Sequence, residues 1–234
     1  MVSVECNDYS RQMNIFDKYK WNKNKIPVNV IGVGASGSWL TLALAKMGIE
    51  DIRVYDFDKI GEHNIPNQAF NIESIGDYKV RGLESVVKNQ SGISIDWNIK
   101  EVTKKDKMSG VVFLLTDTMS SRKEIYESII KHNPNIELLV ETRMDLRCCR
   151  IYTICPSSLE HRKQYEQTFY DDSEAEVSAC GTSQTVVCTA MGVASHAIWS
   201  FLKWVNNEKF DCETLIDFEN NYIINNNWNM NRSE

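Results

Sequence analysis

The stretch PVNVIGVGASG, residues 27–37, decides the fold of this chain, because a β-branched run in it leads directly into closely spaced glycines. Gly32, Gly34 and Gly37 follow the spacing G-x-G-x-x-G, and a helical pattern at 38–47 comes next. A buried strand that turns through such glycines into a helix places backbone N–H groups and the positive end of the helix dipole against a phosphate. The stretch therefore predicts a nucleotide-binding strand–turn–helix unit.

A second strand pattern, IRVY at 52–55, ends at Asp56. A carboxylate at this strand tip is well placed to accept hydrogen bonds from the hydroxyls of a ribose. The glycine turn and Asp56 suit a nicotinamide or flavin cofactor as well as they suit ATP, so these residues alone leave the nucleotide open. A glycine-rich turn that binds no ligand is the remaining interpretation.

Strand and helix patterns alternate up to about residue 142, which predicts an α/β, Rossmann-like fold with a largely parallel sheet and flanking helices. We expect a nucleotide-binding portion at 1–145 and a C-terminal portion at 146–234, packed in the same domain. The C-terminal portion is expected to add antiparallel structure, a crossover-type loop, a long buried helix and an Asn-rich tail. The tail is expected to be poorly ordered from Asn220, with packing on the surface at 216–218 and 222–224 as the alternative. The expected elements are helices at 75–88, 120–132 and 185–205, strands at 93–102, 111–115, 136–140 and 150–155, and a polar connection at 160–180.

The composition fits a soluble globular protein, with 42% hydrophobic and 25% charged residues among 234. A net charge of −6 argues against nucleic-acid and anionic-membrane binding. The apolar stretch at 185–205 contains Ser195, His196 and Lys203, so we interpret it as a buried helix and not as a membrane span. No secretory signal is visible, the 7 cysteines are odd in number, and no C-x-x-C pair occurs. These features predict a cytoplasmic protein without zinc.

Further polar motifs follow the second strand at spacings that a nicotinamide site does not need. They are Asp56-Phe57-Asp58, Asn64-Ile65-Pro66-Asn67-Gln68, Gly76-Asp77-Tyr78-Lys79, and Thr116-Asp117 with Arg122 five residues after the aspartate. Together with the glycine turn, these motifs resemble those of the ThiF/MoeB/HesA superfamily, the E1-like enzymes that adenylate ubiquitin-like proteins and sulfur carriers. The resemblance covers about residues 10–119 and, more loosely, residues 180–204.

The resemblance implies a site for ATP and Mg²⁺. The ATP-binding residues that it implies are Gly32, Gly34, Ala35, Ser36, Gly37, Asp56, Asp58, Asn64, Gln68, Lys79 and Asp117. Lys79 is suited to neutralise charge that develops during adenylyl transfer, because an ammonium group is a compact point charge. Asp117 is implied to hold the Mg²⁺, with a plain helix N-cap as the alternative interpretation. Arg122 is expected to orient the site or to stabilise the helical turn that contains it.

The segment Tyr9-Ser10-Arg11-Gln12 stands where family members carry an R-x-x-R-Q-like sequence. The resemblance implies that Arg11 contacts the ATP phosphates of the neighbouring subunit, and therefore that the protein is a homodimer. The alternative is an ordinary surface arginine. One position departs from the family pattern, because Asn67 replaces an arginine and asparagine cannot neutralise charge. This replacement weakens the expectation of full adenylation activity.

Cys180 is the candidate nucleophile among the cysteines. It precedes a small-residue loop and the apolar helix, which resembles the placement of the thioester-forming cysteine in compact family members. A cysteine near a helix N-terminus has a lowered pKa, and the thiolate is its reactive form. The alternative is a packed or incidental cysteine. Cys148, Cys149, Cys188 and His196 are expected to be packing residues.

The motifs and the resemblance together predict an E1-like adenylyltransferase with Arg11, Lys79, Asp117 and Cys180 as its catalytic residues. Its substrate is expected to be the C-terminal carboxylate of a small ubiquitin-like or sulfur-carrier-like protein or peptide. Thioester formation on Cys180 is the expected further step. Two alternatives stay open: a catalytically weakened E1-like binding module and an NAD-dependent oxidoreductase.

Overall fold

The computed structural model describes residues 8–172 and 186–228, which form one sheet and the helices that flank it. The helices are α1 Lys18–Asn24, α2 Ala35–Lys46, α3 Lys79–Ser91, α4 Met119–Ile125, α5 Leu159–Glu166 and α6 Val187–Val205. The strands are β1 Val28–Ile31, β2 Ile52–Tyr55, β3 Asp96–Asn98, β4 Gly110–Leu114, β5 Ile136–Met144, β6 Cys148–Ile154, β7 Glu213–Asp217 and β8 Tyr222–Asn226. Single 3₁₀ turns at Glu62–Asn64 and Ile72–Ser74 and a π-helical turn at Tyr126–Ile130 complete the regular structure.

The strands lie in the order β3-β2-β1-β4-β5-β6-β7-β8. The first five strands of this order are parallel, whereas β5, β6, β7 and β8 pair antiparallel. Strand β1 pairs with both β2 and β4, so the glycine turn that follows β1 lies at the centre of the parallel part. The predicted Rossmann-like fold with an antiparallel C-terminal addition is confirmed.

Helices bury both faces of the sheet. On one face, α2 and α6 pack together over the central strands, with Leu40, Leu44 and Phe201 fully buried. On the other face, α4 and the π-helical turn pack with α5 through Tyr126 and Tyr165, whose ring centroids lie 4.9 Å apart in an edge-on arrangement. This two-sided burial explains why every residue of β1 and β4 is buried, with no alternation of buried and exposed positions. It also fixes the strand ends that carry the candidate site.

Several boundaries in the parallel part differ from the prediction. The strand expected at 93–102 is limited to β3, because the segment that follows it turns away from the sheet edge. The helix expected at 75–88 begins only at Lys79, since a 3₁₀ turn and Gly76, with a φ of +91°, precede it. Helix α1 was not expected, and its N-cap is Asp17, whose carboxylate accepts the N–H groups of two residues in the first turn.

Three expectations for the C-terminal portion were wrong. The polar connection expected at 160–180 contains α5, which begins after Ser158, whose hydroxyl accepts the N–H of His161. The tail expected to be poorly ordered contains β8, which pairs with β7 over five residues. Cys188, expected in the core, is exposed on α6. Within the described ranges, no helix combines the length and the apolar character needed to cross a membrane.

Candidate functional site

A cavity of about 460 Å³ opens at the carboxyl ends of β1, β2 and β4, which is where parallel α/β sheets bind their ligands. Its wall is formed by the residues that follow these strands and by the first turns of α3 and α4. The predicted site residues on this wall are Gly32, Gly34, Asp56, Asp58, Lys79 and Asp117. The fold therefore brings together residues from four separate motifs of the sequence.

The three motif glycines serve two different purposes. Gly32 has a φ of +88°, and a Cβ there would lie 2.7 Å from the carbonyl oxygen of Leu115. A Cβ on Gly37 would collide with the carbonyl oxygen of Gly32. Gly34 differs, because a Cβ there would meet no atom within 4 Å, and this residue lines the cavity. Backbone packing thus explains Gly32 and Gly37, whereas the space beside Gly34 is open to a ligand.

Helix α2 begins at this open space. Gly34 is its N-cap, and no side chain in the described part of the chain caps the helix. The first N–H groups of an uncapped helix, together with the positive end of the helix dipole, attract an anion. A phosphate group fits this position, where the N–H groups of Ala35 and Ser36 begin the helix.

Asp56 joins the tip of β2 to the glycine turn. Its Oδ2 accepts the N–H of Val33 at 2.9 Å, and its Oδ1 accepts the N–H of Asp58 at 2.9 Å. Burial raises the pKa of Asp56, and the nearby ammonium group of Lys79 opposes this rise. The carboxylate therefore holds the turn in place, a role that the motif alone did not reveal. Its remaining lone pairs are able to accept ribose hydroxyls.

Lys79 begins α3 and lies on the cavity wall beside Asp58. Its Nζ forms an ion pair with Asp58 Oδ2 at 2.7 Å, and its N–H donates to the carbonyl oxygen of Asp58 at 2.9 Å. The side chain of Lys79 is only 11% exposed, whereas that of Asp58 is 53% exposed. An ion pair with a half-exposed partner contributes little free energy, so a phosphate can replace Asp58 at the ammonium group.

Asn64 and Gln68 lie behind the wall of the cavity. Asn64 is buried, and its Oδ1 accepts the N–H of Gly61 at 2.8 Å. Gln68 is also buried, and its Oε1 has no hydrogen-bond partner among the described residues. Asn67, which stands between them, accepts a hydrogen bond from Trp39 Nε1 through its carbonyl oxygen at 3.1 Å. The structure thus places these residues in the loop after β2 and does not bring Asn64 or Gln68 to the cavity.

Asp117 follows β4 on the cavity wall and is not the cap of α4. The N-cap is Thr118, whose hydroxyl accepts the N–H of Ser121 at 3.3 Å. The carboxylate of Asp172 accepts two further N–H groups of the same turn, at 2.5 and 3.1 Å. The carboxylate of Asp117 forms no hydrogen bond or ion pair with any other residue that the structure describes. The N-cap interpretation of Asp117 is therefore wrong, and its carboxylate is open to a ligand.

Arg122 lies behind Asp117 and is 6% exposed. Its Nη2 donates to the carbonyl oxygen of Thr116, and its Nη1 lies 3.4 Å from Oε1 of Glu141. Because the guanidinium group does not line the cavity, Arg122 is placed to orient the turn after β4 and not to bind a ligand directly.

Arg11 lies far from the cavity. It is exposed, and its segment is held by Gln12, whose Nε2 donates to the carbonyl oxygens of Lys46 and Met47 at 3.3 Å each. This contact is at the C-terminal end of α2, whereas the glycine turn is at the N-terminal end of the same helix. The 12 residues of α2 separate the two ends by about 18 Å, more than an arginine side chain extends.

Comparison with known proteins assigns the family. The model of the ThiF family matches residues 9–234. The chain belongs to the ThiF family. Membership confirms the resemblance predicted from the sequence and places the chain among proteins of the E1-like adenylyltransferase type. No curated protein matches the sequence closely enough to count as a relative.

Solved structures share the fold of this ThiF-family chain at low sequence identity. PaaA gives a TM-score of 0.70 with 15% identity, and the match covers 90% of this chain and 75% of PaaA. MccB of E. coli with AMPCPP and MccA gives 0.67 with 14% identity, covering 96% of this chain and 73% of MccB. MccB with ATP gives 0.65 with 13% identity, covering 91% and 72%. At these identities the likeness shows a shared fold.

The donor set of this ThiF-family site fits a magnesium ion that arrives with a nucleotide. Among residues 8–172 and 186–228, no group of three or more His, Cys, Asp or Glu side chains forms a ready-made metal site. Mg²⁺ typically needs only one or two carboxylates when phosphate oxygens and waters complete its octahedron. The open carboxylate of Asp117, on the same wall as Gly34, meets that requirement.

Cys180, the candidate nucleophile, lies outside the described residues. None of the cysteines in the described ranges lines the cavity. Burial raises the pKa of Cys149 to about 12 and that of Cys212 to about 11, so both thiols stay protonated. The described cysteines therefore include no candidate nucleophile at this cavity.

Several wall residues were missed by the sequence analysis. Tyr55 closes one side of the cavity, and Lys100, Glu101 and Val102 follow β3. Glu124 reaches the wall from α4. The only signal for these residues is their position at or just beyond a strand end, or about two helical turns after Asp117. For Lys100, Glu101 and Val102 the signal was lost because the length of β3 was overestimated.

Proposed function

We propose that this ThiF-family protein uses ATP and Mg²⁺ to adenylate the C-terminal carboxylate of a small ubiquitin-like or sulfur-carrier-like protein or a peptide. The observation that carries the proposal is the convergence of the open glycine turn, Lys79 and the Asp117 carboxylate on one cavity wall. An NAD-dependent oxidoreductase needs the glycine turn and Asp56 but gives Lys79 and Asp117 no task. The complexes of MccB with ATP and with MccA support the same classes of substrate.

Each wall residue has a physical task in this proposal. The first N–H groups of α2 and the ammonium group of Lys79 bind phosphate oxygens. Asp56 accepts ribose hydroxyls while it holds the glycine turn. Asp117 contributes the carboxylate ligand of Mg²⁺, which when bound neutralises charge on the triphosphate.

The reaction is a displacement at phosphorus. A carboxylate oxygen of the partner attacks the α-phosphorus of ATP, and the new O–P bond forms as the bond to pyrophosphate breaks. The products are an acyl-adenylate and pyrophosphate. No general base is needed, because a C-terminal carboxyl group is already ionised at neutral pH. Lys79 stabilises the charge that develops on the phosphate oxygens.

The cavity wall carries an excess of negative charge, so we expect that ATP binds together with cations from outside the subunit. Its carboxylates outnumber its ammonium groups, and Lys100 is already paired with Asp106. A polyanion such as ATP binds such a wall only when further positive charge accompanies it. Mg²⁺ and Arg11 of a second subunit would supply that charge, and Asn67 in place of an arginine increases the need. The carboxylates on the wall are Asp56, Asp58, Glu101, Asp117 and Glu124.

An apolar groove between α2 and α6 is the surface that we assign to the homodimer. It has a volume of about 520 Å³, and Trp39, Met191 and Trp199 lie on it, the last two 48% and 51% exposed. A two-fold axis across the middle of α2 places the C-terminal end of one helix over the N-terminal end of its partner. Such an axis carries Arg11 of one subunit to the glycine turn of the other.

Subunit mixing tests Arg11 in trans. Arg11→Ala and Lys79→Ala should each be inactive alone, whereas mixed dimers contain one complete site. Mixing equal amounts after dissociation should restore about a quarter of the wild-type activity, since half of the dimers are mixed and each has one intact site. An Arg11→Ala protein that is fully active by itself would reject the role in trans.

Cys180 is proposed to take the activated acyl group. In this step the thiolate attacks the acyl carbon of the adenylate, a thioester forms, and AMP leaves. Cys180→Ser should keep adenylation but lose the reductant-sensitive adduct with the partner, whereas Cys188→Ser should keep both. A reductant-sensitive adduct that persists in Cys180→Ser would reject this assignment.

ATP–pyrophosphate exchange tests the function as a whole. Labelled pyrophosphate should enter ATP only when a partner with a free C-terminal carboxylate is present, because the reverse reaction needs the acyl-adenylate. Candidate partners are small proteins and peptides encoded beside this chain. Exchange that fails with every candidate at high protein concentration, while ATP still binds, would instead favour the weakened binding module. Tight binding of NAD without binding of ATP would favour the oxidoreductase.

A further inference from the structure

A buried cluster of charges lies behind the cavity, between β5 and the turn that follows β4. Glu141 is opposite Leu114 in the register of these two parallel strands, so it lies beside the turn that carries Thr116 and Asp117. Its side chain is 0% exposed. Burying a charged carboxylate costs free energy unless hydrogen bonds and opposite charges compensate for the lost water. The contacts of Glu141 therefore indicate its role.

Three side chains surround the carboxylate of Glu141. Arg143 holds it with two contacts, from Nε to Oε1 at 2.8 Å and from Nη2 to Oε2 at 3.0 Å. The hydroxyl of Tyr165 donates to Oε2 at 2.6 Å, and Nη1 of Arg122 lies 3.4 Å from Oε1. Burial alone would raise the pKa of Glu141, but the guanidinium groups of Arg122 and Arg143 hold it below its usual value. Glu141 is therefore a fixed negative charge.

Arg143 is the anchor of this cluster. It is 8% exposed, and besides Glu141 it donates to the carbonyl oxygen of Thr168 at 2.6 Å and to its hydroxyl at 2.9 Å. Its guanidinium group also lies over the ring of Tyr152, 4.4 Å from the centroid. These contacts fix Arg143 and hence Glu141, and neither residue lines the nucleotide cavity.

Arg122 links Glu141 to the turn on the cavity wall that contains Thr116 and Asp117. One of its terminal nitrogens faces Glu141, and the other donates to the carbonyl oxygen of Thr116. The described peptide bonds are all trans, so the N–H of Asp117 points away from Arg122, opposite to that carbonyl. The planar guanidinium fork thus sets the orientation of the Thr116–Asp117 peptide, from which the Asp117 side chain departs.

We propose that Glu141 is a positioning residue that acts through Arg122 to hold the Asp117 carboxylate in the orientation that receives Mg²⁺. This inference rests on the proposed ATP- and Mg²⁺-dependent function. Residues that orient a metal ligand affect metal affinity without touching the metal. Glu141, Arg143 and Tyr165 belong to none of the motifs in which the resemblance to the family was found, so the role follows from the contacts alone.

The test compares the Mg²⁺ dependence of variants that keep the size of the side chain. Glu141→Gln should raise the Mg²⁺ concentration for half-maximal pyrophosphate exchange by about tenfold or more. Calorimetric affinity for ATP should weaken in Mg²⁺ but stay unchanged in EDTA, because Lys79 and the glycine turn are untouched. Arg150→Gln is the matched control, since it removes an ion pair with Glu213 on the neighbouring strands and has no contact with the Thr116 turn.

A second variant keeps the proposal testable if Glu141→Gln does not fold. Arg122→Lys retains the positive charge against Glu141 but has no fork that reaches Thr116 as well, so it should show the same rise in the Mg²⁺ requirement. Thermal unfolding checks that each variant is folded. A folded variant of either residue with wild-type Mg²⁺ dependence would overturn the positioning role while leaving the proposed function intact. Wild-type protein that does not bind ATP in Mg²⁺ or in EDTA would instead contradict the proposed function.

Discussion

The two sides of the cavity at the carboxyl ends of β1, β2 and β4 are built differently. On the β2 side, Lys79 is held by Asp58 in an ion pair whose acidic partner is half exposed to solvent. On the β4 side, Arg122 is held by Glu141 in a cluster that is shielded from solvent. The pair of Lys79 and Asp58 contributes little free energy and can exchange partners. Removing one partner of the buried pair of Arg122 and Glu141 would strongly destabilise the fold, because it leaves a buried charge without compensation. Lys79 on the β2 side can therefore exchange Asp58 for another anion, such as the phosphate of the proposed substrate, whereas the β4 side keeps its geometry.

This contrast fits the different roles proposed for Lys79 and Asp117. A lysine that binds phosphate must leave its resting partner, and a carboxylate that binds a metal must be oriented in advance. The difference also explains why the two sides were not equally visible in the sequence. Lys79 and Asp58 belong to motifs, whereas Glu141 is one of several polar residues in β5 and belongs to no motif.

Breaking the β4 side should have the largest effect on stability. Glu141→Ala leaves two guanidinium groups buried without their partner, and we expect the free energy of unfolding to fall by about 3–5 kcal/mol. Denaturant titration measures the change. Glu219→Ala is the control, because it removes the exposed pair with Arg147 and should leave the midpoint unchanged. Equal midpoints for Glu141→Ala and wild type would show that the cluster does not stabilise the fold.

Removing the lysine of the β2 side should affect the reaction more than the fold. Lys79→Ala should lower pyrophosphate exchange by about 10²–10³-fold, since a cation aimed at developing charge is lost. Its midpoint of unfolding should stay close to that of wild type, because the Asp58 pair is half exposed. Lys88→Ala, at the other end of α3, provides the control and should retain full exchange. Undiminished exchange in Lys79→Ala would remove Lys79 from the site.

The pH dependence of stability tests a buried titratable group, His161 of α5. Burial lowers the pKa of His161, which is 5% exposed and accepts the N–H of Cys155 at 3.1 Å. The unfolded chain then binds a proton more readily than the folded one, so stability should fall as the pH drops through the unfolded pKa of about 6.5. His161→Gln should flatten this dependence, which we expect to be on the order of 1 kcal/mol. The exposed His132→Gln should leave it as it is, and a pH slope that survives in His161→Gln would point to other groups.

The smallest effect is expected at the exchangeable pair itself. Asp58→Asn removes the carboxylate that competes with phosphate for Lys79, so the affinity for ADP in EDTA should rise by about two- to fivefold. Calorimetry at low and high ionic strength measures this change, and the gain should shrink in high salt. A loss of affinity in Asp58→Asn would mean that Asp58 orients Lys79 for the nucleotide and does not compete with it.

Local sequence patterns were sufficient to predict the fold, whereas the motifs predicted only part of the candidate site. The β1 run and the glycine turn predicted the strand–turn–helix unit, and the alternation of strand and helix patterns up to about residue 142 predicted the parallel sheet. Strand β8 was missed, since it lies in an Asn-rich stretch and gains its order from pairing with β7. Similarly, no periodic pattern marks Glu141 as the partner of Arg122, because that contact depends on the register between β4 and β5.

Adenylation of a partner at its C-terminus is the central claim, and intact-mass spectrometry tests it most directly. The partner, incubated with this protein, ATP and Mg²⁺ and quenched in acid, should gain the mass of one adenylyl group at its C-terminal carboxylate. A version of the partner with an amidated C-terminus should gain nothing, and Lys79→Ala should give little product from the free carboxylate. Equal modification of the free and the amidated partner, or its absence when a partner is bound and ATP is saturating, would contradict the account.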